Sequence, residues 1–400
     1  MDFRKYNLED VCRIQIGKTP RREVKEYWGK GYSWVSISDM KSKVITITKE
    51  EITDVAVKVC GCKIIPKGTI LLSFKLSIGK IAFAGKDLFT NEAIVGLEIK
   101  DKAILHPDYL YYILKNTPLV GSNNAAMGST LNKESLRIIN IPIPERLSDQ
   151  LYIANILTQA ENLIAQRKES IRLMDEFLKS AFLEMFGDNT KDDRSWKKIG
   201  LVEVCSNKND IKCGPFGTQL GKSEYQIDGI PVWGIPQINS QFKILPKDFV
   251  TETKALELED YSVIPFDIVM SRKGNVGKCS LFPEVLSKGI IHSDVLRIRT
   301  DKAKMLPVFL LFQLKFSKHV ETQINAVSKG AIMAGINVGK LKHIKIHLPP
   351  IVLQTQFAQI VEKTEALKNQ YQQSLQEIEN LYGSLSQRAF KGELNIKSVN

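Results

Sequence analysis

The sequence predicts an α+β protein with a pseudo-twofold internal repeat, in which two similar globular α/β domains are separated by a pair of long antiparallel helices that form a coiled coil. The pattern Ser-x-Lys-x-x-[Ile/Val]-Gly-Lys occurs at residues 73–80 and again at 271–278, 198 positions later in a chain of 400. Each half of the chain also closes with a long segment of heptad-spaced residues. Solenoid repeats are roughly 20–50 residues long, so this spacing indicates a duplicated domain instead.

The duplication extends over the whole chain, because further matched segments occur in the same order in both halves. Their offset drifts from 193 to about 205, as expected if loops had gained or lost a few residues. The matched pairs are Leu8–Cys12 with Leu201–Cys205, Trp34 with Trp233, Ile65–Pro66 with Ile264–Pro265, Pro107–Leu110 with Pro307–Leu310, Asn132 with Asn337, and Gln150 with Gln354.

Within each half, short β-branched runs broken by Gly and Pro predict strands, and an apolar segment opened by Pro predicts a helix. We expect Trp34 and Trp233 to lie in the cores, because apolar runs follow them. The predicted elements are strands at 70–74 and 267–271, helices at 106–116 and 306–316, and closing strands at 138–144 and 344–350 that end in prolines.

The closing segment of each half predicts a long helix, and the two helices have heptad seams in the same phase. A helix over residues 153–186 would be about 50 Å long at 1.5 Å per residue. Helices of equal length and phase are expected to pair with each other. The first seam contains Ile153, Ile156, Ala160, Leu163, Arg167, Ser170, Met174, Phe177 and Ala181, and the second contains the residues 204 positions later, from Phe357 to Leu385.

These patterns place the domain boundaries. The first globular domain is predicted at residues 1–147 and the first spacer helix at 148–187. The second globular domain is predicted at 188–350, beginning with the polar linker 188–195, and the second spacer helix at 351–394.

Composition favours a polyanionic partner and a reducing compartment. The net charge is +12 and the pI about 9.2, and both halves are positive, with +4 on residues 1–195 and +8 on 196–400. The six cysteines show no disulfide framework, the N-terminus is polar, and no apolar run reaches the roughly 20 residues of a membrane helix. We therefore expect a cytoplasmic location and no membrane contact.

Motifs for catalysis, cofactor binding or metal binding are missing. The Gly-Lys pairs at 79–80 and 277–278 are not phosphate-binding loops, because Phe74 and Arg272 occupy the position of the required upstream glycine. Cys60 and Cys62 have no second Cys/His pair at zinc-ligand spacing. No cofactor is therefore predicted. Two alternatives stay open: a helical scaffold whose domains bind protein, and a DNA-modifying enzyme with an unrecognised site.

The ordered motifs resemble those of the specificity subunits of type I restriction–modification systems, over nearly the whole chain. The resemblance rests on both copies of the repeated pattern and on the prolines before Gln150 and Gln354. It also rests on Ile16–Pro20, Trp34–Asp39, Gly128–Asn132 and the helix ends Met185–Gly187 and Ala389–Leu394.

The resemblance implies a non-catalytic subunit in which each globular region is a target recognition domain for one half of a bipartite double-stranded DNA sequence. It implies that the paired helices space the domains and dock two methyltransferase subunits. A restriction and translocase subunit would join the larger complex.

Candidate DNA-contacting residues follow from chemistry, since phosphates attract Lys and Arg while bases are recognised by Arg, Asn, Gln, Ser and Thr on loops. The alternative is that Gly79 and Gly277 only make turns and that Lys80 and Lys278 are solvated. The candidates are Lys18, Thr19, Arg21, Arg22, Ser36, Ser38, Ser73, Lys75, Ser77, Ser129 and Thr130 in the first half, and Gln219, Gln237, Asn239, Ser271, Arg272, Lys273 and Asn275 in the second.

Overall fold

A computed structural model describes residues 2–119, 131–187, 196–328 and 335–394, together with the backbone of 123–125 and 128–130. The chain divides into two compact units. Unit 1 comprises residues 1–168 and 373–400, and unit 2 comprises residues 169–372. Among the described helices, none has both the length and the apolar character needed to cross a membrane.

The first half of the chain supplies most of unit 1. It contains two short 3₁₀ turns, at Lys25–Tyr27 and Ile37–Asp39, in addition to its strands and α-helices. The elements are β1 (Phe3–Asn7), α1 (Leu8–Val11), β2 (Cys12–Ile16), β3 (Trp28–Val35), β4 (Val44–Ile45), β5 (Glu50–Ile52), α2 (Asp54–Cys60), β6 (Ile70–Ser73), β7 (Ile81–Ala84), β8 (Phe89–Thr90), β9 (Ile94–Ile99), α3 (Pro107–Asn116), β10 (Asn123–Ala125), β11 (Gly128–Thr130), α4 (Lys133–Arg137), β12 (Asn140–Pro144) and α5 (Leu147–Phe186).

The core of unit 1 lies on both faces of a five-stranded sheet with the order β2-β9-β6-β7-β4. Successive strand residues point to opposite faces. Ile70 and Leu72 of β6 accordingly pack with α3 and the long helix α5, whereas Leu71 packs in a smaller cluster on the other face. A three-stranded sheet, β5-β3-β8, carries the buried Trp34, and β1 pairs with the closing strand β12.

The second half repeats this order with small differences. Its 3₁₀ turns lie at Leu201–Val204, Lys208–Asp210, Lys222–Glu224 and Glu259–Tyr261. The elements are β13 (Lys197–Gly200), β14 (Ile211–Cys213), β15 (Ile230–Trp233), α6 (Ile235–Asn239), β16 (Phe249–Val250), α7 (Glu252–Glu257), β17 (Ser262–Val263), β18 (Ile268–Ser271), β19 (Cys279–Leu281), β20 (Gly289–Ile291), β21 (Val295–Ile298), α8 (Pro307–Phe316), α9 (Lys318–Ser328), α10 (Val338–Leu341), β22 (Lys345–Leu348) and α11 (Ile351–Lys391).

The strands of unit 2 pair in an order similar to that in unit 1. Its sheets have the orders β14-β21-β18-β19 and β16-β15-β20-β17, and β13 pairs with the closing strand β22. Ile268 and Met270 of β18 face α8, while Val269 packs in the cluster of Trp233. The predicted α+β fold with an internal repeat is therefore confirmed, and both tryptophans lie in cores as expected.

A buried glutamine fixes the start of each long helix. The Gln150 side-chain carbonyl accepts a hydrogen bond from His106 N at 2.8 Å, and its amide donates to the carbonyls of Ile104 at 2.8 Å and Pro144 at 3.0 Å. Gln354 does the same in unit 2, accepting from Leu306 N at 2.9 Å and donating to the carbonyls of Lys304 and Pro349. Both residues are fully buried, so each helix leaves its globular part in a defined direction.

The long helices run antiparallel within each unit. In unit 1, Glu161 of α5 contacts Tyr382 of α11, and further along α5, Lys168 pairs with the earlier residue Glu379 at 2.7 Å. In unit 2, Asp175 pairs with Lys368. Further along α5, Phe182 meets Phe357 with ring centroids 5.5 Å apart. Rising positions on α5 meet falling positions on α11 in both units.

The predicted heptad seams are half correct. Ile153, Ala160 and Phe357 are buried as expected, but several other seam residues are less buried than the residue that follows them. Leu178 is buried where Phe177 was expected, and Lys368 is buried where Leu367 was expected. At Phe177-Leu178 two adjacent apolar residues allow two registers, and packing in the core of unit 2 selects Leu178. Lys368 is buried for a different reason, because its ammonium pairs with Asp175 of α5.

We expect Gln150→Met to destabilise the protein by about 1–3 kcal/mol for each buried partner left without a hydrogen bond. His106 N–H and the Ile104 carbonyl are the groups left unpaired, because methionine fills the space without bonding. Denaturant unfolding of the full chain measures the loss. Gln159→Met, at an exposed position of the same helix, should cost much less. Equal losses in the two variants would contradict the role of the buried amide.

Candidate nucleic-acid interface

The repeated pattern forms a hairpin loop in each unit, between β6 and β7 in unit 1 and between β18 and β19 in unit 2. The first and last residues of the loop bond each other, Ser73 N to the Lys80 carbonyl at 2.9 Å and Ser271 N to the Lys278 carbonyl at 2.8 Å. The turn is closed by a second bond, in which Gly79 N donates to the Ser73 carbonyl at 2.9 Å in unit 1 and Gly277 N donates to the Ser271 carbonyl at 3.0 Å in unit 2. Gly79 and Gly277 have φ of 91° and 83°, which explains their identity.

The lysine at the end of the pattern fixes the hairpin to the rest of the unit. Lys80 Nζ donates to the Ile37 carbonyl at 3.2 Å, and Lys278 Nζ donates to the Asn239 carbonyl at 3.1 Å. Both carbonyls lie in the short helical turn that follows the tryptophan strand. These lysines are exposed, but they are anchors of the loop and not merely solvated ends.

A second loop with a close-packed glycine lies beside each hairpin. Gly17 N donates to the Ile94 carbonyl and Gly214 N to the Val295 carbonyl, both at 3.1 Å. A Cβ at Gly17 would lie 2.2 Å from Thr90 Oγ1, and one at Gly214 would lie 2.3 Å from the His292 carbonyl oxygen, so only glycine fits. We call residues 17–20 and 214–219 the glycine loops.

Both loops bond the same short segment, which brings them together. Phe74 N of the first hairpin donates to the Ala93 carbonyl at 3.0 Å, one residue from the carbonyl that Gly17 uses. Arg272 N donates to the Asp294 carbonyl at 2.8 Å in the same way. Each unit thus presents a surface of two adjacent loops built on one strand end.

Three of the predicted site residues are buried and cannot reach DNA. Ser73 donates its hydroxyl to the Ser77 carbonyl inside the hairpin, and Ser271 is equally buried. Gln237 accepts from Gly234 N at 3.0 Å and donates to the Leu245 carbonyl at 3.2 Å. The prediction was wrong for these buried side chains: Ser73 and Gln237 bond their own backbone, and the buried Ser271 hydroxyl has no hydrogen-bond partner among the described residues.

Arg22 is also held within unit 1. Its guanidinium makes a two-pronged ion pair with Glu50 and lies 3.9 Å from the centroid of the Trp28 ring. The hydrogen bonds that Arg22 donates to Glu50 raise the pKa of the guanidinium. The guanidinium is therefore engaged within unit 1, although half of the Arg22 side chain is exposed, and its contact with DNA stays a prediction.

Other predicted residues have polar groups engaged within their own unit. Thr19 donates its hydroxyl to Glu92, and Ser36 donates to Asp39 at 2.7 Å while its oxygen lies 2.8 Å from that of Ser38. Asn239 is half-buried. The side chains of Ser129 and Thr130 lie outside the part of the chain that the structure describes, although their backbone belongs to β11.

Arg272 connects the two loops of unit 2. Its Nε donates to the Ile336 carbonyl at 3.2 Å, and its guanidinium lies 5.3 Å from the centroid of the exposed Phe216 ring in the glycine loop. Its neighbour Lys273 pairs with Asp294 at 2.9 Å. In unit 1, Ala93 occupies the position equivalent to Asp294, so Lys75 has no carboxylate at that position to pair with.

The remaining predicted residues face solvent or lie at half-buried positions on the two-loop surfaces and beside them. Their chemistry differs between the units, although the loop framework is shared. They are Lys18, Arg21, Ser38, Lys75 and Ser77 in unit 1, and Gln219, Lys273 and Asn275 in unit 2.

A basic cleft next to the first glycine loop was missed by sequence reasoning. Arg13, Lys63 and Lys133 line it together with Lys18. A single carboxylate, Glu98, lies 3.8 Å from Arg13. These cations come from three separate parts of the chain, so no local motif joined them. Only Lys133 lay next to a sequence feature that could have drawn attention to it, because it follows Asn132, which is matched by Asn337 in the second half.

The type I restriction modification DNA specificity domain family matches residues 1–173 and 195–380. The chain belongs to this family. The two matched segments correspond to the two halves of the internal repeat.

Curated relatives and solved structures agree with this membership. The MjaIX specificity subunit of Methanocaldococcus jannaschii is 25% identical, with 98% of this chain and 93% of that protein aligned. The EcoKI specificity subunit of Escherichia coli is 22% identical over 68% of this chain and 62% of that protein. The type I S subunit structure from M. genitalium covers 99% of this chain and 97% of its own, with 16% identity and a TM-score of 0.58, and so supports the fold.

Membership also indicates the role of the chain. The chain is a non-catalytic specificity subunit, and recognition of DNA is the role that the family implies. Within the described residues, no group of His, Cys, Asp and Glu could hold a metal ion. Cys60 and Cys62 do not form such a group, and burial raises the pKa of the Cys62 thiol, which disfavours the thiolate that a metal requires.

Proposed function

We propose that each unit recognises one half of a bipartite double-stranded DNA sequence through its two-loop surface. One observation carries the proposal: the same loop framework is built twice, while two of the three residues at each hairpin tip differ between the units. The shared Ser, Gly and Lys bond within the protein, whereas the tips carry Lys75-Leu76-Ser77 in unit 1 and Lys273-Gly274-Asn275 in unit 2. Such an arrangement suits two domains that perform one task on different sequences.

The charge distribution supports DNA as the partner. The basic cleft of unit 1 places four cations beside the glycine loop, at a position where they can contact phosphates. Phosphate contacts position a protein on the duplex, and the loop tips are then free to contact base edges. The domain boundaries predicted from the sequence, 1–147 and 188–350, stand as our proposal for the two target recognition domains.

The long helices are proposed to dock two methyltransferase subunits. Leu163 and Leu381 lie at one level of the helix pair in unit 1, and Leu367 and Phe177 occupy the equivalent positions in unit 2, 204 residues away in each case. All four are 42–54% exposed. A duplicated pair of exposed apolar side chains fits two copies of one partner. We further propose that a restriction and translocase subunit joins this complex in the cytoplasm.

Methylation mapping tests the central proposal. In a host that carries the full chain with its methyltransferase partner, modified sites should share two short specific sequences separated by a non-specific gap. The centres of the half-sites should lie about one helical turn apart, on the order of 10 base pairs, if both units enter major grooves on one face. A single uninterrupted recognition sequence would contradict the proposal.

Lys75→Ala should weaken DNA binding by the assembled methyltransferase. If Lys75 contacts only phosphate, the loss should be similar for all sequences, and the slope of log affinity against log salt should fall by about one unit. Fluorescence anisotropy at several salt concentrations measures both quantities. Lys102→Ala, an exposed cation after β9, serves as the matched control. Unchanged affinity, sequence specificity and salt slope in Lys75→Ala would remove Lys75 from the interface.

Aspartates at one helix patch should remove one methyltransferase subunit. Leu163→Asp with Leu381→Asp should reduce the bound copies from two to one, and adding Phe177→Asp with Leu367→Asp should abolish docking, because buried charges without partners are costly. Native mass spectrometry counts the subunits. Leu173→Asp is the control, since Leu173 is also exposed but has Glu377 at its equivalent position. Two bound copies in the fourfold variant would refute this docking surface.

A further inference from the structure

Leu76 has an unusual conformation at the tip of the first hairpin. Its φ is 64°, in the left-handed region that favours glycine, and its side chain is 59% exposed. A leucine in this region is disfavoured because its Cβ crowds the following carbonyl. Folding therefore gains little from the leucine side chain and pays a conformational cost for it.

Three other non-glycine residues in the described part of the chain have a positive φ. Each of them either makes contacts that offset part of the conformational cost or exposes less apolar surface than Leu76. Phe242 is buried in the cluster of Trp233 and Phe282. Phe266 lies 4.5 Å from the ammonium of Lys302, measured to the ring centroid. Gln241 is polar and precedes Phe242. Among these four residues, Leu76 is the one with an exposed aliphatic side chain.

The second copy of the hairpin demonstrates that leucine is not needed for the loop. Gly274 occupies the equivalent position, 198 residues later, with a φ of 68°. The two loops share their closing hydrogen bonds, so the backbone has the same form with either residue. A strained residue that the framework does not require is a candidate for function.

The surroundings of Leu76 indicate what it contacts. It lies between Lys75 and Ser77, on a hairpin of two antiparallel strands that the major groove of DNA can admit. The 5-methyl group of thymine is the apolar group that this groove exposes. On the basis of the proposed function, we propose that Leu76 is a specificity-determining residue that contacts the methyl group of one thymine in the half-site recognised by unit 1.

A double substitution in protein and DNA tests this inference. The full chain, assembled with its methyltransferase subunits, is titrated with duplexes in which each thymine of both half-sites is replaced singly by deoxyuridine, which lacks the methyl group. The wild-type complex should lose about fourfold in affinity at one thymine of one half-site, the value for removal of one buried methyl group. Leu76→Ala should bind the unmodified duplex more weakly and show no further loss at that thymine.

Two variants separate recognition from stability. Leu76→Gly should match Leu76→Ala in DNA binding, while its unfolding midpoint should not fall below that of the wild type, because glycine relieves the left-handed conformation. Ile104→Ala is the control for loss of an exposed apolar side chain in the same unit. It should retain the wild-type response to every deoxyuridine.

The outcomes distinguish this inference from the proposed function. If Leu76→Ala and every deoxyuridine act additively, or if neither half-site contains a thymine in either strand, Leu76 does not contact a thymine methyl and the inference is overturned. Bipartite recognition by the two units would survive that result. If the wild-type complex shows no preference for its target sequence, the proposed function fails as well.

Discussion

The whole architecture depends on the buried glutamine at the start of each long helix. Gln150 and Gln354 each bond three backbone groups that come from the closing strand and from the segment before the apolar helix. A buried amide with all these partners permits one geometry, since any other leaves polar groups unsatisfied. The direction of each helix relative to its sheet is set there, and helix pairing within each unit follows from it.

The two units reach the same helix packing by different chemistry. In unit 1, Glu161 accepts hydrogen bonds from Tyr112 and Tyr382 and pairs with Lys115. Burial alone would raise the pKa of Glu161, but these bonds outweigh it and lower the pKa. In unit 2, Phe312 occupies the position of Tyr112 and packs on Phe182 of α5 and Phe357 of α11, with ring centroids 6.2 and 4.9 Å away. Duplicated folds thus retain geometry while their contacts diverge.

The two-loop surfaces divide their residues between framework and contact. The glycine recurs because the turn needs a positive φ, and the lysine that ends the pattern recurs because its ammonium anchors the loop. Between the serine and this glycine, Lys75 and Lys273 also recur, whereas Leu76 and Ser77 are replaced by Gly274 and Asn275. This division explains why some predicted contacts were wrong: the residues that repeat most faithfully, such as Ser73 and Ser271, are the ones that build the loop. Any difference in recognition between the units has to come from positions that the repeat leaves variable.

Sequence alone determined the duplication, the fold class, the strands at the hairpins and the existence of two long helices, because these depend on local periodicity and on residues repeated in order. Tertiary structure decided the rest. It selected Leu178 for the helix seam, since Phe177 and Leu178 left two registers and packing in the core of unit 2 distinguishes them, and it buried Lys368 beside Asp175 of the other long helix. It also gathered Arg13, Lys63 and Lys133 into one cleft, because charges distant in the chain meet only when the sheet brings their loops together.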